Sequence, residues 1–155
     1  MALDIHPRNF GAGQDPSKAG PIFSDGGNLI LSCGVDWKLG LWNTNMSHPY
    51  MMTELEGEIY DMKWSPVHPS VFATSDGKGN IDLWDLSRRT DTYIYRKSEE
   101  KEEGINCIRW SNDGKKILTG NSSGVVKLWN VDKEFVNPRE ETMSELAKIT
   151  DLAEQ

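Results

Sequence analysis

The sequence predicts an all-β fold of about three four-stranded units in series, with a short C-terminal helix. Three observations predict it. Trp42, Trp84 and Trp129 stand 42 and 45 residues apart, each ending a short strand-like run. Each has a hydroxyl residue ten positions upstream (Ser32, Thr74, Thr119), and glycine marks the turn between: Gly34, then Gly77 with Gly79, then Gly124. After Pro138 the pattern stops, and Met143, Leu146, Ile149 and Leu152-Ala153 recur at three-to-four spacing.

Each element has a local reason. Ala2–His6 alternates and ends at a proline, and residues 8–20 are rich in Gly, Asn, Pro and Ser, which marks a loop. Asn28–Cys33 and Lys38–Trp42 read as strands around a turn at Gly34–Trp37, and Tyr50–Leu55 as a further strand. Ile59–Trp64 alternates into the breaker Ser65-Pro66-Val67-His68-Pro69. Val71–Ser75, Asn80–Leu86 and Thr92–Arg96 follow. On the Asn80–Leu86 strand, Ile81 and Leu83 point to one side and Asp82 and Trp84 to the other. The run 97–103 is charged and reads as a solvated loop. Ile105–Trp110, Lys116–Thr119 and Val125–Val131 then repeat the order. The apolar stripe of the tail, with Glu140 and Glu141 in its first turn, predicts an amphipathic helix over 138–155 that packs on the blades. The division expected is 1–27, a weakly matching strand and loop; 28–137, the repeats; and 138–155, the acidic helix.

A chain of 155 residues is long enough to bury a core, and 37% apolar content with six tryptophans suits one. A net charge of −7 argues against nucleic-acid partners and anionic membranes. The apolar runs are too short to span a bilayer, and the N-terminus lacks the order of a signal peptide, so the cytosol is the expected location. Cys33 and Cys107 lie in apolar runs and read as buried free thiols, with no disulfide and no metal set.

A period of 40–45 residues with several short strands and a terminal Trp is the sequence mark of a β-propeller. The chain resembles the WD-repeat family. The resemblance implies a blade per repeat and a polar set joining the strand-end Trp to the upstream Ser/Thr, a turn Asp and a loop His. Ser32, Thr74 and Thr119 match the hydroxyl position; the turn Asp survives only as Asp36, with Lys78 and Ser123 at the equivalent places, and no Gly-His pair occurs. Apolar packing should therefore carry more of the blades' stability, and a buried Thr74 or Thr119 needs another partner. Blade-structural roles are expected for Ser32, Asp36, Trp42, Trp64, Thr74, Trp84, Trp110, Thr119 and Trp129. Three units cannot close a ring of four or more blades. The expectation is a piece of a larger propeller, with ring completion by a partner as the alternative.

Over residues 28–150 the resemblance narrows. Asp36-Trp37-Lys38-Leu39-Gly40-Leu41-Trp42, Tyr60–Pro69 leading into Val71-Phe72-Ala73, and Asp76–Leu86 look like the C-terminal blades of dynein intermediate chains, the cytoplasmic ones most of all. Gly40 departs from that pattern and should weaken its strand slightly. The resemblance implies a non-catalytic structural subunit of a microtubule motor in the cytoplasm and cytoskeleton, whose propeller binds the dynein heavy chain. A ciliary or intraflagellar chain is a near variant, and a WD-repeat adaptor outside motors a second class. The light-chain and dynactin sites of such proteins lie in an N-terminal region and are not expected here.

No catalytic constellation, cofactor motif or metal set emerges. His6, His48 and His68 each precede proline and read as turn residues. Asp76-Gly77-Lys78-Gly79 lacks the spacing of a phosphate loop and leads into a strand. Ser122-Ser123-Gly124 is a turn rather than a nucleophile elbow. Trp37 follows a turn and is expected to have no counterpart in the other units. With Lys38 it is the candidate partner-binding anchor, weighed against a structural cap.

Overall fold

The computed structural model describes residues 1–7, 29–98 and 103–151. The expected loop at 8–20, most of the charged run and the end of the tail lie outside these residues, as do the side chains of Met143 and Ile149. The described residues form eleven strands in three antiparallel sheets. The first contains β1 (Ala2–Ile5), β2 (Leu29–Cys33), β3 (Lys38–Asn43) and β4 (Met51–Glu54), paired in sequence order. The second repeats the order with β5 (Ile59–Trp64), β6 (Val71–Asp76), β7 (Asn80–Asp85) and β8 (Tyr95–Ser98). The third has three described strands, β9 (Ile105–Trp110), β10 (Lys116–Asn121) and β11 (Val126–Asn130), instead of four. After β11 the chain forms α1 (Lys133–Val136), which the sequence pattern did not indicate, and then α2 (Glu140–Asp151). These are three propeller blades in an arc, with β5 packed between β1 and β9 at the inner ends.

Register makes the repeat physical. Ile5, Ile30 and Trp42 lie side by side across the first blade. Trp64, Phe72 and Trp84 do so in the second, and Trp110, Ile117 and Trp129 in the third. Directly paired residues share a sheet face, so every blade has a tryptophan face and an opposite aliphatic face. Leu31, Leu39 and Leu41 of the first blade pack on Met62, Trp64, Phe72 and Trp84 of the second. Ala73 and Leu83 pack on Ile108 and Ile117 of the third, joined by Phe135 of α1. Leu146 brings α2 into the first of these clusters, beside Tyr50 and Met51.

Several expectations shift. The alternation read in Asn80–Leu86 does not separate inside from outside, because Ile81 through Asp85 are all buried. The middle blade has a neighbour on each face. The strand expected at Thr92–Arg96 begins instead at Tyr95 and includes Lys97, which was read as loop. Tyr93 leaves the ladder to pack edge-on against Trp84, with ring centroids 6.1 Å apart. Cys33 is buried as expected, and burial pushes its thiol up, but Cys107 is exposed. His6 and His68, read from the sequence only as turn residues, are both buried. Gly40 has a packing reason: a Cβ there would lie 2.8 Å from both Ser32 Oγ and Trp42 Nε1.

Candidate interaction surface

The three tryptophan and hydroxyl pairs at ten-residue spacing are hydrogen bonds. Trp42 Nε1 donates to Ser32 Oγ at 2.7 Å, Trp84 Nε1 to Thr74 Oγ1 at 3.1 Å, and Trp129 Nε1 to Thr119 Oγ1 at 2.9 Å. The indole thereby gives each hydroxyl oxygen a hydrogen-bond donor. Among the described residues no hydrogen bond joins Asp36 to this set. Asp36 is exposed, with its Oδ1 close over Gly34. In the other blades the turn is held two positions earlier. Asp76 Oδ1 accepts the N–H groups of Lys78 and Asn80 at 2.9 and 2.8 Å, and Asn121 Oδ1 those of Ser123 and Val125 at 3.2 and 2.8 Å. Lys78 and Ser123 therefore occupy turns that need no acid of their own.

The innermost strands are tied by carboxylates. Asp4 accepts from Trp64 N at 2.8 Å and from Lys63 Nζ at 3.1 Å. Asp61 accepts from Ile108 N at 2.9 Å and from Arg109 Nη1 at 3.2 Å. Trp110 Nε1 adds a bond to Lys63 O at 3.0 Å, whereas the buried Trp64 Nε1 has no hydrogen-bond partner. Trp64 is held by ring contacts, edge-on to His6 at 4.6 Å and to Phe72 at 5.3 Å, and Phe72 stacks on Trp84 at 5.5 Å.

Two polar groups lock the middle blade. Buried Asp85 accepts from Ser70 Oγ and Ser87 Oγ, both at 2.6 Å, and pairs with Arg88 at 3.1 Å. Ser70 Oγ also lies 3.3 Å from His68 Nδ1, and burial pushes the His68 imidazole below its ordinary pKa. On the outer side the Arg96 guanidinium forks onto Asp82 at 2.7 and 2.9 Å and reaches Glu56 at 3.1 Å. Desolvation pushes the buried Asp82 carboxyl up against the pull of that fork, while Arg96, which keeps a side in water, is held above its ordinary range by Asp82.

Trp37 differs from the other tryptophans in its backbone. Its φ is 63°, the left-handed region, and its side chain is 47% exposed. It stands five residues before Trp42, as Gly79 (φ 84°) and Gly124 (φ 82°) stand before Trp84 and Trp129. Trp37 thus has a positional counterpart in each blade, and that counterpart is glycine. Its carbonyl accepts Leu55 N–H at 2.7 Å, which continues the β3–β4 ladder by one residue and ties the turn to the end of β4. Lys38, the first residue of β3, is exposed beside it. No tryptophan signal in the sequence revealed this equivalence; the turn spacing carried it. A second feature, the apolar groove between the outer edges of the second and third blades, is lined by Ile81, Leu83, Tyr95, Ile117, Trp129 and Val131. Among the described residues no group of His, Cys, Asp and Glu is arranged to hold a metal ion, and no helix is long and apolar enough to cross a membrane.

Comparison with known proteins agrees with this architecture. The family "WD domain, G-beta repeat" matches residues 93–130, the stretch from just before β8 through β11. The chain is 29% identical over 121 residues to the cytoplasmic dynein 1 intermediate chain of Drosophila melanogaster, a match over 77% of this chain and 18% of that protein. It is 31% identical over 131 residues to the cytoplasmic dynein 2 intermediate chain 2 of Homo sapiens, over 78% of this chain and 24% of that protein. The chain therefore spans a quarter or less of the length of these relatives.

Proposed function

We propose that this chain, a WD-repeat relative of the dynein intermediate chains, is a non-catalytic scaffold element of a dynein motor complex and binds the motor heavy chain through its blades. The observation that supports this is similarity to intermediate chains of two dynein classes over more than three quarters of the chain. On this reading the chain works in the cytoplasm, on microtubules. Light-chain and dynactin contacts form no part of the proposal. Trp37 and Lys38 are the proposed anchor. A non-glycine residue at positive φ costs on the order of 1–2 kcal/mol, and the sister blades avoid that cost with glycine. An exposed indole held in such a turn is explained by what it touches outside the chain.

Native pull-down tests the reading. Recovery of dynein heavy chain is the expected result; recovery of a dynein 2 heavy chain would move the site of action to the cilium. Absence of any dynein heavy chain would leave an adaptor outside motors. Trp37→Gly tests the anchor. It should raise stability by about 1 kcal/mol by relieving the turn and lower heavy-chain retention by about tenfold or more. Unchanged retention with raised stability would show that Trp37 is only a strained cap.

A further inference from the structure

The loop between β7 and β8 carries two adjacent arginines followed by a hydroxyl, Arg88-Arg89-Thr90, with Asp91 next. It belongs to the middle blade, which has a neighbour on each face. The two arginines have different duties. Arg88 is a strut: it pairs with buried Asp85 at 3.1 Å and with Glu134 of α1 at 3.0 Å, and its guanidinium lies over the Phe135 ring. Arg89 forks onto Asp91 at 3.2 and 3.1 Å, with both side chains more than half exposed. Such an exposed pair is weak and readily exchanged. The hydroxyls differ too. Ser87 Oγ donates to Asp85 at 2.6 Å, whereas Thr90 Oγ1 makes no hydrogen bond among the described residues. Thr90 stands in the wall of an open cleft of about 480 Å³, together with Tyr50, Arg88, Arg89, Asp91 and Glu145 of α2. Two cations and two carboxylates line this cleft, so its charges balance. The residue after Glu145 is Leu146, which seats α2 in the core cluster of the first two blades beside Tyr50.

We infer that Thr90 is a phosphate-acceptor site for an arginine-directed serine/threonine protein kinase, and that its phosphate loosens α2 from the blades. Two guanidinium groups directly before a hydroxyl suit a carboxylate-lined acceptor groove. The segment lies outside the strand ladders, so an enzyme can draw it out without breaking a sheet. Asp91, where a proline-directed enzyme needs proline, disfavours that class. The transfer moves the γ-phosphoryl group of ATP to Thr90 Oγ1. The bond from phosphorus to the β,γ-bridging oxygen breaks, ADP leaves, and the hydroxyl proton passes to the base of the kinase. The product adds about −1.5 to −2 charges to a balanced cleft. Arg89 exchanges Asp91 for the phosphate, and Arg88 is already held by Asp85 and Glu134. The surplus negative charge then faces Glu145, and repulsion acts on the turn of α2 that carries Leu146. The inference stands independently of the motor reading, since it uses only this loop and the helix beside it.

The test uses the full chain with magnesium-ATP in separate arms: an arginine-directed, an acid-directed and a proline-directed serine/threonine kinase. Peptide mass spectrometry should find phosphate on Thr90 in the first arm. Arg89→Gln should slow its incorporation by about tenfold or more, and Thr90→Val should abolish it. On the phosphorylated chain, amide hydrogen exchange across α2 should quicken by about tenfold while β6 and β7 stay unchanged. Glu145→Gln should shrink that gain. No phosphate on Thr90 in the arginine-directed arm overturns the inference, as does phosphate on Ser87 or Thr92 in its place. Equal incorporation in the Arg89→Gln chain overturns the selection by arginine. An unchanged α2 rate on the phosphorylated chain overturns the link to the helix.

Discussion

At the scale of the residue, indoles in repeat-equivalent positions have unequal roles. Trp84 is fully buried and donates to Thr74, so Trp84→Phe leaves a buried hydroxyl without its partner. That substitution should cost about 2–3 kcal/mol. Trp64 is nearly as buried, but its N–H has no partner, so Trp64→Phe removes apolar contact and an unsatisfied donor together. Its cost in urea unfolding should be smaller by about 1 kcal/mol or more; equal costs would mean that the Thr74 bond contributes nothing net. His68 adds a pH dependence. Burial lowers its pKa in the fold, with the Asp85 charge opposing and Arg88 and Arg139 adding to the effect. Above about 6.5 the imidazole is neutral in folded and unfolded chains alike. Below that, the unfolded chain takes up a proton that the folded chain resists. Stability is therefore present above about pH 6.5 and lost as pH falls toward the lower folded value, by at most about 1.4 kcal/mol per pH unit from this group. A His68→Asn chain, though less stable at neutral pH, should show a flatter profile between pH 7.5 and about 5. The ten-residue Trp and hydroxyl spacing was legible in the sequence because both ends of each bond lie on adjacent strands of one hairpin. The burial of His6 was not, because its partner comes from elsewhere: His6 Nε2 lies 2.7 Å from Pro69 O, sixty-three residues away.

At the scale of the element, turns decide how blades meet. Gly114 sits in the β9–β10 turn with φ 66°, and a Cβ there would clash with Val67 Cγ2, in the loop of the preceding blade. Gly114→Ala combines a strained backbone with a clash between blades and should cost on the order of 2–4 kcal/mol. Adding Val67→Ala should recover the steric part and leave about 1 kcal/mol of backbone strain. If the double variant is no better than the single one, the Val67 contact is not the cause. Strands were the most legible elements: β5 and β9 have the expected bounds, since each is a short alternating run between breakers. Helix α1 escaped notice because four residues carry no periodicity. Its anchor is one buried side chain, Phe135, under the guanidinium of Arg88 at 5.7 Å. The turn before β3 misled for a related reason. Trp37 hides a glycine position, marked in the sequence only by the five-residue spacing to the strand-end Trp that it shares with Gly79 and Gly124.

At the scale of the whole molecule, the middle blade gives one face to each of the two core clusters, so the outer blades are coupled through it and not to each other. In an array of repeats that touch only their neighbours, opening starts at the ends. The sequence pattern indicated three units but not this asymmetry, because β7 reads like β3 and β11, and only the packing makes it buried throughout. Helix α2 modifies the scheme at one end: Leu146, which follows the third blade in sequence, packs in the cluster shared by the first and second. That contact joins both ends of the chain to the centre. Hydrogen exchange should therefore show a gradient. Amides of β6 and β7 should exchange slowest, near the global unfolding limit, those of β2 and β3 next, and those of β11 fastest. A uniform exchange profile would mean that the three blades open as one cooperative unit, with α2 rather than the middle blade holding the arc together.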